Sequence, residues 1–189
     1  FETLQAVSKD VQVPLTFSGG IDSVARARRA MESGADKIGV NSTALDRPAL
    51  IEELARVFGA QAVVLGIDFV RRNGKIHLYD HRSGKALETP GFGEWLREAT
   101  GRGAGEVRLV AVDREGTREG LDADAWQEAR TLIGVPIILE GGAGNLNQVA
   151  DAMKAGVDSV ALGTLLVFSD NNLLKVRRFL EGAGLPMRP

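Results

Sequence analysis

Asp68 closes an apolar run, Val63-Val64-Leu65-Gly66-Ile67, and is the residue there that can carry a proton. A carboxylate at the end of such a run faces a cleft and is partly desolvated, which suits general acid/base work. The bland alternative is an ion-pair partner for Arg71 or Arg72. Two glycine stretches offer another chemistry. Ser18-Gly19-Gly20 and Gly141-Gly142-Ala143-Gly144 each follow an apolar run and precede a helical stretch. The backbone N–H groups of such a turn converge on an anion. One such turn alone is explained by backbone geometry. Here there are two, and the next apolar runs close in Asn41-Ser42 and Gly163-Thr164. That pairing favours phosphate binding, by a long ligand with a phosphate at each end. Asp113, Gly116 and Thr117 read as a loop that shapes the site and touches the ligand. Glu140 stands immediately before the second glycine turn.

These residues sit at the ends of six short runs rich in Val, Ile and Leu: Pro14–Ser18, Lys37–Ser42, Ala62–Asp68, Val107–Asp113, Pro136–Glu140 and Ser159–Thr164. Near-continuous apolar character predicts parallel strands buried on both faces. Helical periods lie between them, over 23–33, 47–58, 92–100, 122–132, 146–154 and 172–181. Alternation of this kind predicts a parallel α/β fold. Between Asp68 and the next helix, Asn73-Gly74 and Ser83-Gly84 are turn signals that predict a small hairpin laid over a strand end.

The chain also repeats itself. Pro14 matches Pro136, Gly20 matches Gly142, Met31 matches Met153 and Asp36 matches Asp158, each 122 positions apart (from 14 to 136). One repeat spans four strand–helix units, so two repeats make the eight of a (β/α)₈ TIM barrel. The chain holds six units. The expectation is therefore a single barrel domain over residues 1–189, covering units three to eight, with a two-fold half-barrel repeat and the first two βα units missing.

Composition narrows the function classes. The 189 residues carry a net charge of −2 with scattered signs, which argues against a nucleic-acid surface or a polybasic membrane patch. No apolar run reaches the length of a membrane span, and no signal-peptide pattern opens the chain. There are no cysteines, so thiolate chemistry is excluded. The two histidines, His77 and His81, do not make a metal site by themselves, and a solvated hairpin accounts for both.

Gly34-Ala-Asp-Lys-Ile with Asn41-Ser-Thr-Ala44, Gly103-Ala-Gly-Glu-Val107, Asp113-Arg-Glu-Gly-Thr117, Gly141-Gly-Ala-Gly-Asn145 and Gly184-Leu-Pro-Met-Arg188 complete the pattern. Together they resemble the cyclase-subunit family of imidazole glycerol phosphate synthase, over essentially the whole chain. The resemblance implies a cytoplasmic lyase of histidine biosynthesis that works without metal or other cofactor. Its substrate would be a ribulosyl aminoimidazole carboxamide ribonucleotide with two phosphates. Ammonia from a partner glutaminase, docked at the N-terminal face of the barrel, would cross the interior and close the imidazole ring. Asp68 aligns with one of the family's two catalytic aspartates. Lys37 and Glu106 align with the ammonia gate, where a salt bridge sealing the barrel floor is the plainer role.

Several positions depart from that family's usual pattern. Ser18 stands for a third glycine, Glu140 for a small hydroxyl residue, Val110 and Ala111 for a threonine and a serine, and Arg108 for an apolar residue. An ionised Glu140 cannot donate to a phosphate and repels it. It must pair with a cation, be held protonated, or meet a different ligand. Arg108, on the neighbouring strand, is the favoured partner. Three other readings stay open: a paralogue that transfers ammonia to surface-polysaccharide sugars, the related phosphoribosyl isomerase, and a non-catalytic barrel fragment.

Overall fold

The computed structural model describes residues 1–187, so Arg188 of the last motif lies outside the described residues. Six strands run parallel: β1 (Thr16–Ser18), β2 (Lys37–Val40), β3 (Val63–Arg72), β6 (Glu106–Ala111), β7 (Ile137–Glu140) and β8 (Ser159–Val160). They pair in the order β1-β2-β3-β6-β7-β8. Between β3 and β6, the strands β4 (Lys75–Asp80) and β5 (Lys85–Leu87) extend the far half of β3 as an antiparallel hairpin. The sheet curls, since residues near both ends of the pairing order, Thr16 and Ala161, line one cavity.

Helices fill the crossovers. They are α1 (Glu2–Val7), α2 (Val24–Glu32), α3 (Ser42–Asp46), α4 (Ala49–Phe58), α5 (Phe92–Gly101), α6 (Ala123–Leu132), α7 (Leu146–Lys154), α8 (Thr164–Val167) and α9 (Leu173–Gly182). Side chains start four of them. Ser23 accepts the Arg26 N–H, Asp122 that of Ala125, Asn145 that of Gln148 and Asn172 that of Lys175. Each such cap is worth about 1 kcal/mol. Two aspartates also hold strand starts: Asp36 accepts the Leu15 N–H at 2.8 Å, and Asp158 that of Ile137 at 3.1 Å.

The strands are not apolar on both faces, contrary to the expectation from their runs. On β3, Val63, Leu65 and Ile67 are buried against the helices, and so are Val107, Leu109 and Ala111 on β6. The alternate residues, Gly66 with Asp68 and Arg108 with Val110, line the cavity on the concave face. Period two thus sorts each strand into an apolar face for the core and a face for the site. Each outward Leu or Ile contributes about 2 kcal/mol by burial.

Strand limits also differ from expectation, among them that of the run to Asp113, which ends at Ala111. The run to Ser42 ends at Val40, and Ser42 opens α3; the run to Thr164 ends at Val160, and Thr164 opens α8. Both polar ends are used to turn the chain at the sheet's C-terminal edge. β3 instead runs past Asp68 to Arg72, because β4 supplies a new partner there. Asn73 and Gly74 take positive φ, 50° and 76°, as a two-residue hairpin turn requires.

Candidate active site

A cavity of about 720 Å³ opens at the C-terminal ends of the strands. Asp68 lies in its wall, 9% exposed. Asn41, just past β2, donates through Nδ2 to Asp68 Oδ2 at 2.7 Å. His81 Nε2 lies 3.2 Å from the same oxygen. Burial pushes the Asp68 carboxyl above the usual aspartate range; the Asn41 hydrogen bond and the charges of His81 and Arg108 oppose this, and Glu140 adds to it. The result is a carboxyl with raised proton affinity, suited to taking and returning a proton. Arg71 does not pair with it. That guanidinium forks onto Asp122, at 2.6 Å and 3.0 Å.

Both glycine turns adopt the left-handed conformation. Gly19 and Gly20 have φ of 100° and 68°, Gly141 and Gly142 of 99° and 93°. At the second turn glycine is required by space as well, since a Cβ on Gly142 would stand 2.3 Å from the Gly120 carbonyl oxygen. Ser18, Gly19, Gly20, Asn41 and Ser42 line the large cavity beside Asp68. Gly116, Gly141, Gly142, Gly163 and Thr164 line a smaller pocket that shares Glu115, Glu140 and Ala161 with it. The two turns therefore flank one continuous concave surface. Asn41 is committed to Asp68, which leaves Ser42 and the backbone for an anion. Asp113 and Thr117 are not brought to either pocket. Asp113 accepts the Arg71 backbone N–H at 2.9 Å, and the Thr117 hydroxyl donates to the Arg114 carbonyl at 2.8 Å.

The Arg108–Glu140 pair expected from their joint departure is present. Arg108 Nε meets Glu140 Oε2 at 2.5 Å, and its NH2 meets Oε1 at 3.3 Å. Glu140 thus turns to a cation, as expected. Their side chains are 38% and 22% exposed, so the pair is worth less than a fully buried one. Glu140→Ser is expected to lower stability by about 1–2 kcal/mol, and Arg108→Leu in addition to recover most of it. Denaturant melts of the two single variants and the double variant check this; additive losses mean that the two do not interact. At the opposite end of the strands Lys37 pairs with Glu106, the plainer of the two roles expected for them.

Two residues were missed. The sequence places His81 in a solvated hairpin, and its side chain is 55% exposed, but the turn folds back over the sheet and sets it against Asp68. Arg26 of α2 lays its guanidinium about 3.0 Å from where a Gly20 Cβ would stand, a cation beside the first glycine turn. Its position three residues after Ser23, in the first turn of a helix that follows a glycine turn, was the available signal.

A curled parallel β/α sheet with a buried carboxyl and two glycine turns at its strand C-termini has the layout of a partial (β/α) barrel enzyme. Residues 1–172 match the pattern of the family described as "Histidine biosynthesis protein". The chain belongs to this family. It is 39% identical over 188 residues to the imidazole glycerol phosphate synthase subunit HisF of Chloroherpeton thalassium, covering 99% of this chain and 74% of that protein. The same subunit of Chlorobium phaeobacteroides is 38% identical, with the same coverage. That of Exiguobacterium sibiricum is 32% identical over 187 residues, 99% of this chain and 75% of that protein.

Proposed function

We propose that this chain is the cyclase subunit of an imidazole glycerol phosphate synthase. It takes a ribulosyl aminoimidazole carboxamide ribonucleotide with two phosphates, and ammonia from a glutaminase closes the imidazole ring. The observation that carries this reading is the placement of two left-handed glycine turns on either side of Asp68. Each phosphate rests on one turn, the first with Ser18 and Ser42, the second with Gly163 and Thr164. Asp68 between them moves the proton that ring closure requires. The glutaminase docks at the strand N-termini, where Lys37, Glu106 and Pro136 line a cavity of about 900 Å³. The Lys37–Glu106 pair lies on the route from there to Asp68 and gates ammonia.

We further infer that the six strands are units three to eight of a single (β/α)₈ barrel with a half-barrel repeat. Support comes from elements that match at the 122-residue spacing. α2 matches α7, the Ser23 cap matches the Asn145 cap, and Asp36 holding Leu15 matches Asp158 holding Ile137. A structure of the whole polypeptide with β1 and β8 left without further strand partners overturns this inference.

Titrating isotope-labelled whole protein with inorganic phosphate tests the anion sites. The amides of Gly19, Gly20, Gly141 and Gly142 are expected to shift in a saturable way. No shift at either turn refutes phosphate binding there. The Arg108–Glu140 pair favours one second reading, ammonia transfer to a different acceptor, because it alters the cavity wall beside the second turn. Growth of a histidine auxotroph lacking its own cyclase separates the two: rescue supports the cyclase, and failure with a folded protein supports the paralogue.

A further inference from the structure

His81 heads the four-residue turn between β4 and β5, immediately after the paired residues Asp80 and Lys85. The turn is pinned on both sides of it. Asp80 is buried and accepts from the Arg82 N–H at 3.1 Å and from Arg82 Nε at 3.0 Å. The Arg82 guanidinium also reaches Asp46 of α3. The His81 ring stands edge-on to Tyr79, with centroids 5.0 Å apart and planes at 83°. These contacts aim Nε2 at Asp68 Oδ2, 3.2 Å away. The His81 side chain is 55% exposed, that of Asp68 only 10%. One imidazole therefore touches both bulk water and the buried carboxyl. The charged and titratable groups around Asp68 are His81, Arg108 and Glu140, with the Asn41 amide on the shared oxygen. Those against His81 are Asp68 and Tyr79.

We propose that His81 is the positioning residue through which Asp68 exchanges protons with solvent. This rests on the reading of Asp68 as the acid/base group. A ligand filling the cavity cuts Asp68 off from water, so a proton it has taken needs a way out. The O–H bond at Oδ2 breaks as an N–H bond forms at Nε2, and the proton on Nδ1 leaves to water. The carboxylate is restored with the Asn41 N–H on it, and the imidazole stays neutral as its other tautomer. The reverse sequence resupplies the proton. Imidazole suits this role because it has two ring nitrogens, one able to take a proton as the other gives one up.

The test uses the whole enzyme with the bisphosphorylated substrate and an ammonium salt. His81→Ala is expected to lower kcat on the order of 10-fold or more, with KM changed less than about twofold. Added imidazole restores the rate in step with its free-base fraction. His81→Gln, which fills the same space, is expected to show the same loss. It also removes the His81 interaction that opposes the upward shift of Asp68, so the acid limb of its pH profile moves to higher pH. Full kcat and an unchanged pH profile in both variants overturn the proposal. So does a loss that imidazole does not rescue, with the profile unmoved, since that marks a purely structural role. Asp68→Asn in the same assay distinguishes the two failures. An active Asp68→Asn refutes the acid/base reading itself, whereas an inactive one beside fully active His81 variants refutes only the relay.

Discussion

Replacing Asp68 with Asn is expected to lower turnover on the order of 10²-fold or more, the scale of acid/base catalysis, while ligand binding is retained. The amide keeps the shape of the carboxyl and a hydrogen-bonding oxygen for Asn41, so the cavity wall does not move. What it loses is the exchangeable proton. The sign of the pKa shift adds a second readout. Burial raises the folded-state pKa of Asp68 above its unfolded value. Its ionised form therefore opposes folding above the unfolded pKa. Asp68→Asn is then expected to melt no lower than the parent at neutral pH. Steady-state kinetics and a thermal melt of one preparation check both. Unchanged turnover returns Asp68 to a structural role, and a large drop in midpoint means that inactivity reflects unfolding.

The largest loss of stability is expected from Asp122→Ala, about 3 kcal/mol. Asp122 is 2% exposed and serves three elements at once. It caps α6 through the Ala125 N–H at 3.1 Å, takes the forked guanidinium of Arg71 at the end of β3, and lies 3.8 Å from Arg114. Alanine removes the cap, about 1 kcal/mol, and strands Arg71. The ion-pair loss is set below the buried-pair range because the Arg71 side chain is 26% exposed. Burial alone would raise the Asp122 pKa. The Arg71 hydrogen bond, the Ala125 N–H and the charges of Arg114 and Arg71 outweigh it and hold the carboxyl below the usual range. A depressed carboxyl contributes its stability above the unfolded pKa and loses it as pH falls through the folded value. The parent is therefore expected to lose stability in acid more steeply than the variant. Urea melts from neutral pH down to the acid range measure this, and parallel curves exclude Asp122 as a source of the acid sensitivity.

The strand–helix order was readable because it rests on local patterns. Apolar runs, helical periods and turn dipeptides each act within a few residues. The sorting of each strand into two faces was not read. Gly66, Val110 and Ile138 are apolar or neutral, and they disguise the face that carries Asp68, Arg108 and Glu140. The glycine turns and Asp68 were legible because strand C-termini are where a curled parallel sheet gathers its loops. The Arg108–Glu140 pair was legible by charge, since two opposite departures on neighbouring strands have one economical explanation. The place of His81 was not. It depends on how far the hairpin folds back, which the Arg82 contacts to Asp80 and Asp46 decide across 36 positions of chain. The place of Asp113 was not legible for a similar reason: it accepts the Arg71 N–H, which is offered only because β3 outruns its neighbours.

The hairpin on β3 has a free end and a fixed end, and this matters for anyone redesigning the protein. At Asn73-Gly74 the backbone is exposed, and a side chain added at Gly74 meets nothing within 4 Å. An affinity tag, a fluorophore or a longer loop can be spliced there without reaching the cavity. The opposite turn offers no such latitude. Residues 80–83 are latched to one another and to α3, and their spacing sets the distance between an imidazole and a carboxyl. One added residue there would lift His81 off Asp68 while leaving the sheet intact. The two turns look alike as a pair of glycine turns in the sequence, yet one is a handle and the other is part of the mechanism's alignment.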